Sequence, residues 1–466
     1  MNKAEIFYKD IGDYHSREEK LKIVSEGRSI LNPALNMSQL KPNEHGDWIN
    51  KRNSRFDEFI PLEPEQKFDV TSQAFFTVYS LGIATNKDAW LYNFSLNNLE
   101  KNIKKMVEYY NIQRIAYHKL SEHDKISAKQ WVAYDEKKIT WTDMFLKDLE
   151  NNTKYKVDND KICFSLYRPF TKMQFCFEKQ FIQRTYQQTK LFPQIDSDNL
   201  LICISCVGTN NGLSVFVSKN IPDLHFIGDT QCFPFYWYEK KDKIQSGLFE
   251  QVEEEYIRHD GISDFILEQA KTRYSNKVIK KDIFYYVYGL LHSPDYRRKF
   301  ANDLKKMLPR LPLVEKPADF WAFCEAGKKL ADLHLNYEEY EPPKEVLING
   351  KPIPKKPFPE GQLTVNKMSF PSKSKKDAII YNSYFTISNI PEKAYEYVVN
   401  GKSAIEWVIE RYAVTTHKES GIKNDPNDWA IEHENPQYIL DLLLSVITVS
   451  MKTVDIVAGL PKVEWE

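Results

Sequence analysis

At 466 residues the chain is longer than one ordinary domain, so two or three units are expected. A hydrophobic share of 42% supports real cores, while no apolar run approaches the ~20 residues of a membrane span. The formal net charge of −1 argues neither for nor against nucleic acid, so the distribution of charge has to decide.

Residues 1–60 open with AEIFYKDIGDYHSREEKLKIV, a short strand, a turn and a charged helix. They continue irregularly through NEHGDWINKRNSRFDEFIPL, with Trp48 and Ile49 as anchors. FFTVYSLGIATNKDAWLYNFS then reads as an alternating strand and a turn. LNNLEKNIKKMVEYYN follows as an amphipathic helix with Leu99, Ile103, Met106 and Tyr110 on one face. Residues 116–160 are polar and helical, with Trp141, Phe145 and Leu149 spaced to dock on a core.

From 161 to 240 the pattern changes to strands: KICFSLYRPF, KMQFCFE, LLICISCV, LSVFVSK and HFIGDTQCFPFYWYE. Turn signals separate them, including Gly-Thr-Asn-Asn-Gly before Leu213, and an antiparallel or mixed sheet is predicted. Residues 241–270 read as acidic and helical. Over 283–308 two helices meet at a tight corner, where Ser293 caps the second and Pro294 sits at a position that needs no N–H. Tyr296, Phe300, Leu304 and Leu308 form its apolar stripe, and Pro309 ends it. Residues 271–310 hold eleven Lys or Arg against three Asp, a local excess suited to phosphate.

EKPADFWAFCEAGKKLADLHL at 315–335 is another amphipathic helix. Residues 341–375 form a Pro/Lys-rich connector with an Asn-Gly hairpin at 349–350. The remainder reads as a strand, a helix, the loop TTHKESGIKNDPNDW and a closing helix. The fold class is therefore α+β, a central mixed or antiparallel sheet with packed helical elements. Its divisions are 1–60, a core at 61–340 (sheet 161–240, helices 241–335), the connector 341–375, and a segment 376–466 packing back on the core.

The corner YGLLHSPDYRRKFANDLKKMLPRLPL resembles the C-terminal specificity region of type ISP restriction-modification enzymes, as do SLYRPFTKMQFCFEKQF and IPDLHFIGDTQCFPFYWYE. Those enzymes join a nuclease, a helicase-like motor, an adenine methyltransferase and a target-recognition domain in one polypeptide. The resemblance covers essentially the whole chain. It implies that residues 1–60 are the tail of a methyltransferase domain with its linker, and that 61–340 is the recognition core.

The motifs of catalysis are missing from this sequence. NPAL at 32–35 and DPND at 425–428 lack the second proline and the aromatic of an adenine methyltransferase loop, and no GxxxxGK[ST] phosphate loop occurs. Pro222-Asp223 with Glu239-Lys240-Lys241 spells a loose PD…ExK nuclease pattern, but it lies inside the specificity-like stretch. Cys203 and Cys206 form a CxxC in a strand, with no second pair at zinc spacing, and read as structural. The ten histidines form no cluster, and His225 and His292 also read as structural.

The sequence therefore reads as a module for sequence-specific recognition of double-stranded DNA, inert by itself as methyltransferase, ATPase and nuclease. No cofactor is expected in this chain; S-adenosylmethionine, ATP and magnesium would belong to other domains. Its expected partners are duplex DNA and methyltransferase and helicase domains in cis or in trans, with no membrane, in the cytoplasm. The competing reading is a protein-interaction scaffold that recruits a separate methyltransferase or motor. For phosphate contact the candidates are Arg184, Lys190, Arg297, Arg298, Lys305 and Arg310. For base reading they are Arg168, Lys172, Asn210 and Asn211, whose side chains carry the donors that pair with base edges.

Overall fold

Strand Leu201–Ile204 is buried along its whole length, and its alternation divides the interior in two. Leu201 and Cys203 face one hydrophobic core, while Ile202 and Ile204 face the other. Successive side chains of a strand point to opposite faces, so a sheet covered on both sides needs the unbroken apolar run seen here. Its neighbours repeat the division: Phe216 and Cys232 join the first core, and Val215, Val217 and Phe233 the second.

The structure is a computed structural model that describes residues 5–12, 16–49, 51–209, 211–241, 255–354, 358–359, 361–372 and 375–463. It contains two compact units, one ending at Ser54 and one starting at Arg55. In the first, Ile6–Tyr8 pairs antiparallel with Ser38–Leu40, and a helix spans Arg17–Glu26 behind a Ser16–Glu19 capping box. Leu21, Val24, Ile30 and Leu31 are exposed, and so are the expected anchors Trp48 and Ile49.

In the second unit strands of the 161–240 region divide between two four-stranded sheets, each with one short strand from residues 80–93, where the sequence pointed to one. The first is mixed and runs Ile221–Pro222, Ile162–Arg168, Thr171–Cys176, Tyr92–Asn93, with only the Ile221 strand parallel to its neighbour. The second is antiparallel and runs Ser80–Leu81, Gln231–Pro234, Leu201–Ile204, Val215–Ser218. Turn signals mark where strands end, but nothing local says which sheet a strand joins. This is an α+β fold.

Helix Leu96–Tyr117 buries Leu99, Ile103, Met106 and Tyr110 as its spacing predicts. Helices Lys280–Leu291 and Pro317–Leu335 cross closely on the second core, with Gly289 and Gly327 at the contact. The helix that Ser293 caps spans only six residues, Pro294–Lys299, and does not reach Leu308. Turns follow to Lys306, and Leu304 N–H still donates to the Phe300 carbonyl. Asn302 and Asp303 follow at once, residue types whose side chains compete with the helical ladder. The expected 241–270 helix is replaced over the described residues by strand Tyr256–Asp260, paired with Tyr236–Lys240, and helix Asp264–Arg273. The closing helix Tyr438–Ala458 packs on the first core, so the C-terminal segment is part of the same unit.

Candidate nucleic-acid interface

The hairpin of Ile162–Arg168 and Thr171–Cys176 turns at Phe170, whose φ is +58°. It places Arg168 and Lys172, the candidates for base reading, beside carboxylates of the fold. Arg168 donates from Nη1 to Asp223 Oδ1 at 2.6 Å, and both side chains are largely buried. A guanidinium leaving water needs an anionic partner, and Asp223 supplies it. Lys172 pairs with Glu338 at 2.6 Å and lies near the rings of Phe164 and Trp429.

The loop after Ile204 is likewise tied into the fold. Asn211 Nδ2 donates to Asn400 Oδ1 at 3.0 Å, and the Asn400 amide donates to Ser214 Oγ. Asn211, a candidate for base reading in the Gly-Thr-Asn-Asn-Gly turn, is thus hydrogen-bonded to the turn between Val398–Val399 and Lys402–Ser403. Asn210 lies outside the described residues.

The phosphate candidates divide by their surroundings. Arg310 donates to the carbonyls of Phe59 and Asp57 and clamps that segment. Arg297 Nε donates to the Leu291 carbonyl at 2.6 Å among Tyr288, Tyr296 and Tyr397. Arg298 is 76% exposed beside Asp295, and Lys305 is exposed. Arg184 is exposed with its backbone bonded to Ala84, and exposed Lys190 stands 4.1 Å from the centre of the Phe68 ring. Arg297, Lys305 and Asn211 come together on a cavity of about 240 Å³.

A larger cleft of about 780 Å³ was not singled out from the sequence. One wall is the segment 83–89, beside Arg184; the floor is Tyr92, Tyr167, Met173 and Asp223. The other wall is the ribbon Thr415–Thr416/Lys423–Asn424. Asn424 Oδ1 accepts from the Phe94 amide at 2.9 Å, and Asn93 donates to the Lys423 carbonyl. This anchors a ribbon whose residues 415–419 are exposed. The run TTHKESGIKN, polar and closed by Gly421 at φ +70°, was the available signal. Burial and nearby Asp88 raise the Asp223 carboxyl to about 6 against the pull of Arg168.

The PD…ExK residues belong to separate places. Asp223 is held by Arg168, while Glu239 pairs with His259 at 3.3 Å on the Tyr236–Lys240 ribbon. His225 is exposed beside Asp229 at 3.1 Å, and His292 is buried with Nδ1 against the Tyr288 carbonyl. Cys203 is buried, and its thiol, like Cys232, lies within the first core.

A family model, the Type ISP C-terminal specificity domain, matches residues 74–442. The chain belongs to that family. Two solved Type ISP restriction-modification enzymes resemble this specificity domain over essentially its full length. A nuclease-deletion mutant of LlaGI in complex with a DNA substrate mimic is 36% identical, with a TM-score of 0.81 over 100% of this chain and 40% of that one. The ATP-dependent enzyme LlaBIII bound to DNA is 35% identical, with a TM-score of 0.81 over 99% and 28%. DrdV in a DNA complex is 27% identical, with a TM-score of 0.79 over 99% and 43%. The specificity domain thus spans less than half of each of these chains. A search of the curated proteins found no match. No helix of the described residues is long and apolar enough to cross a membrane.

Proposed function

We propose that this specificity domain recognises a defined sequence in double-stranded DNA and so directs adenine N6 methylation and restriction by other domains. The observation that carries the reading is the family match over 74–442, joined to whole-chain similarity to enzymes solved on DNA. The chain acts as the reader. Methyl transfer, ATP hydrolysis and cleavage, with S-adenosylmethionine, ATP and magnesium, belong to the methyltransferase, motor and nuclease domains with which it works in the cytoplasm.

Two kinds of contact are needed. Exposed cations such as Arg184, Lys190 and Arg298 neutralise phosphates and set register without reading sequence. Side chains at the rim of the large cleft and on the anchored 415–424 ribbon then reach base edges. A two-stranded ribbon fits the major groove, where one good bidentate pair discriminates by ~1–3 kcal/mol. The ribbon replaces the 207–213 loop as base reader, because Asn211 is committed to Asn400.

The test is selection of duplexes from a randomised library by the whole chain, followed by titration of the selected and scrambled sequences across a salt series. A recovered motif, bound more tightly than its scramble at every salt concentration, is expected. Equal binding of both would overturn the reading.

A further inference from the structure

We infer that the cavity between residues 205–209 and 211–213 on one side and residues 297–309 on the other binds a phosphate group carried on a sugar. The cavity holds about 240 Å³, ample for one such unit. Its polar end is Arg297 with Lys305 at the rim, and its walls include Val207, Leu213, Ala301 and Leu304. Among the described residues no carboxylate lines it.

Arg297 is the anomaly. Its one side-chain hydrogen bond among the described residues runs from Nε to the Leu291 carbonyl, and neither terminal amino group has a protein acceptor among them. The groups that bear on its charge are Tyr397, Tyr288 and Tyr296, neutral at physiological pH, and burial lowers its pKa to about 10. Arg168, a largely buried arginine of the first sheet, has Asp223. Arg297 is partly buried with no carboxylate partner among the described residues, and it lines a cavity together with a second cation, Lys305. Guanidinium geometry matches phosphate oxygens, and the apolar wall suits the carbon face of a pentose. Gly212, which lines the cavity, has a φ of +71°, a conformation that glycine adopts without strain.

A sugar phosphate has two sources. One is the backbone of bound duplex DNA, a form that rests on the recognition reading above. The other is a free nucleotide or sugar phosphate, which does not rest on it. The two have the same recognition chemistry and separate experimentally.

The experiment compares the whole chain with its Arg297→Gln and Lys305→Ala variants. Thermal midpoints are measured with 2-deoxyribose 5-phosphate against sodium chloride at matched ionic strength. Duplex binding is then titrated over a salt series. The sugar phosphate is expected to raise the wild-type midpoint and to lose that effect in both variants. Without ligand, R297Q is expected to be at least as stable as wild type, because it removes a partly buried cation that has no anionic partner among the described residues; a merely structural arginine would give the reverse. If the pocket holds the DNA backbone, each variant also lowers the salt slope by about one unit. A lost ligand shift with an unchanged slope assigns the pocket to a free sugar phosphate. Should R297Q fail to fold, exposed Lys305→Ala carries both readouts alone. No midpoint shift together with unchanged slopes would overturn the proposal, as would an equal shift in all three proteins. Wild-type protein that binds no duplex would remove the recognition reading and leave the ligand shift to decide the pocket.

Discussion

Arg168 and Asp223 meet at 2.6 Å across the first sheet, 55 residues apart in the chain. The pair fixes the floor of the large cleft, because Asp223 also accepts from the His225 amide and so shapes the turn beside it. Burial and Asp88 raise the Asp223 carboxyl to about 6, and Arg168 opposes that rise.

Removing the cation should therefore be expensive. Arg168→Met leaves a buried carboxylate without its partner, with an expected loss of about 3–5 kcal/mol at pH 8. An acid whose folded pKa lies above its unfolded value binds protons more readily when folded, so its contribution favours the fold at low pH. The R168M deficit should accordingly shrink between pH 8 and pH 5, and R168M/D223N should recover much of it. Urea unfolding at the two pH values checks this; a deficit independent of pH would contradict it.

The helix crossing on the second core gives a steric prediction. A Cβ on Gly327 would stand 1.9 Å from the Tyr285 carbonyl oxygen, and one on Gly289 would stand 2.3 Å from that of Phe323. Both obstacles are backbone, so the helices themselves must separate. Gly327→Ala should cost about 1–3 kcal/mol despite its better helix propensity, measured as a lower urea midpoint. A neutral or stabilising G327A would mean that the helices do not cross this closely.

Two buried histidines set an acid limit. Burial lowers His334 to about 3 and His292 well below its ordinary value. His334 is held on both nitrogens, by Tyr288 Oη at 2.6 Å and Thr453 Oγ1 at 3.0 Å. The unfolded chain takes protons below pH ~6.5 that the folded chain refuses, so stability falls as pH drops from there toward 3. Each histidine contributes up to ~1.4 kcal/mol per pH unit, in the opposite sense to Asp223. His334→Gln should flatten the fall between pH 6.5 and 4.5, and an undiminished fall would assign the acid sensitivity elsewhere.

These sites show what was legible in the sequence. The Ser293 cap involves residues three apart, and the stripe of Leu99, Ile103, Met106 and Tyr110 lies on one helix; both could be read from local spacing. So could the strands at 201–204 and 215–218. Partners were not legible, because tertiary pairing leaves no local mark. Arg168 and Lys172 have the composition of DNA-contacting residues, yet Asp223 and Glu338 claim them. Asn211 has the composition of a free turn, yet Asn400 holds it from 189 residues away. Polar groups inside a fold obey the same chemistry as polar groups on DNA, so residue type alone does not distinguish them.

That ambiguity sets two groups of cations against each other in a single measurement. Arg184, Lys190 and Arg298 are exposed, whereas Arg168, Lys172 and Arg310 are held by Asp223, Glu338 and the carbonyls of Phe59 and Asp57. Replacing the first three together with Ala should leave the unfolding midpoint within ~0.5 kcal/mol of wild type, as surface changes do. It should weaken binding to selected and scrambled duplexes alike and lower the salt slope by about three units, since each phosphate contact releases roughly one counterion. Replacing any of the second three should lower stability first. Its effect on binding should follow the folded fraction, with the slope unchanged. Titration of both duplexes from low to moderate salt, alongside urea melts, separates the groups. An unchanged slope in the triple exposed variant would remove these cations from the interface. A slope that falls for Arg168→Met, after correction for folding, would return that residue to the DNA.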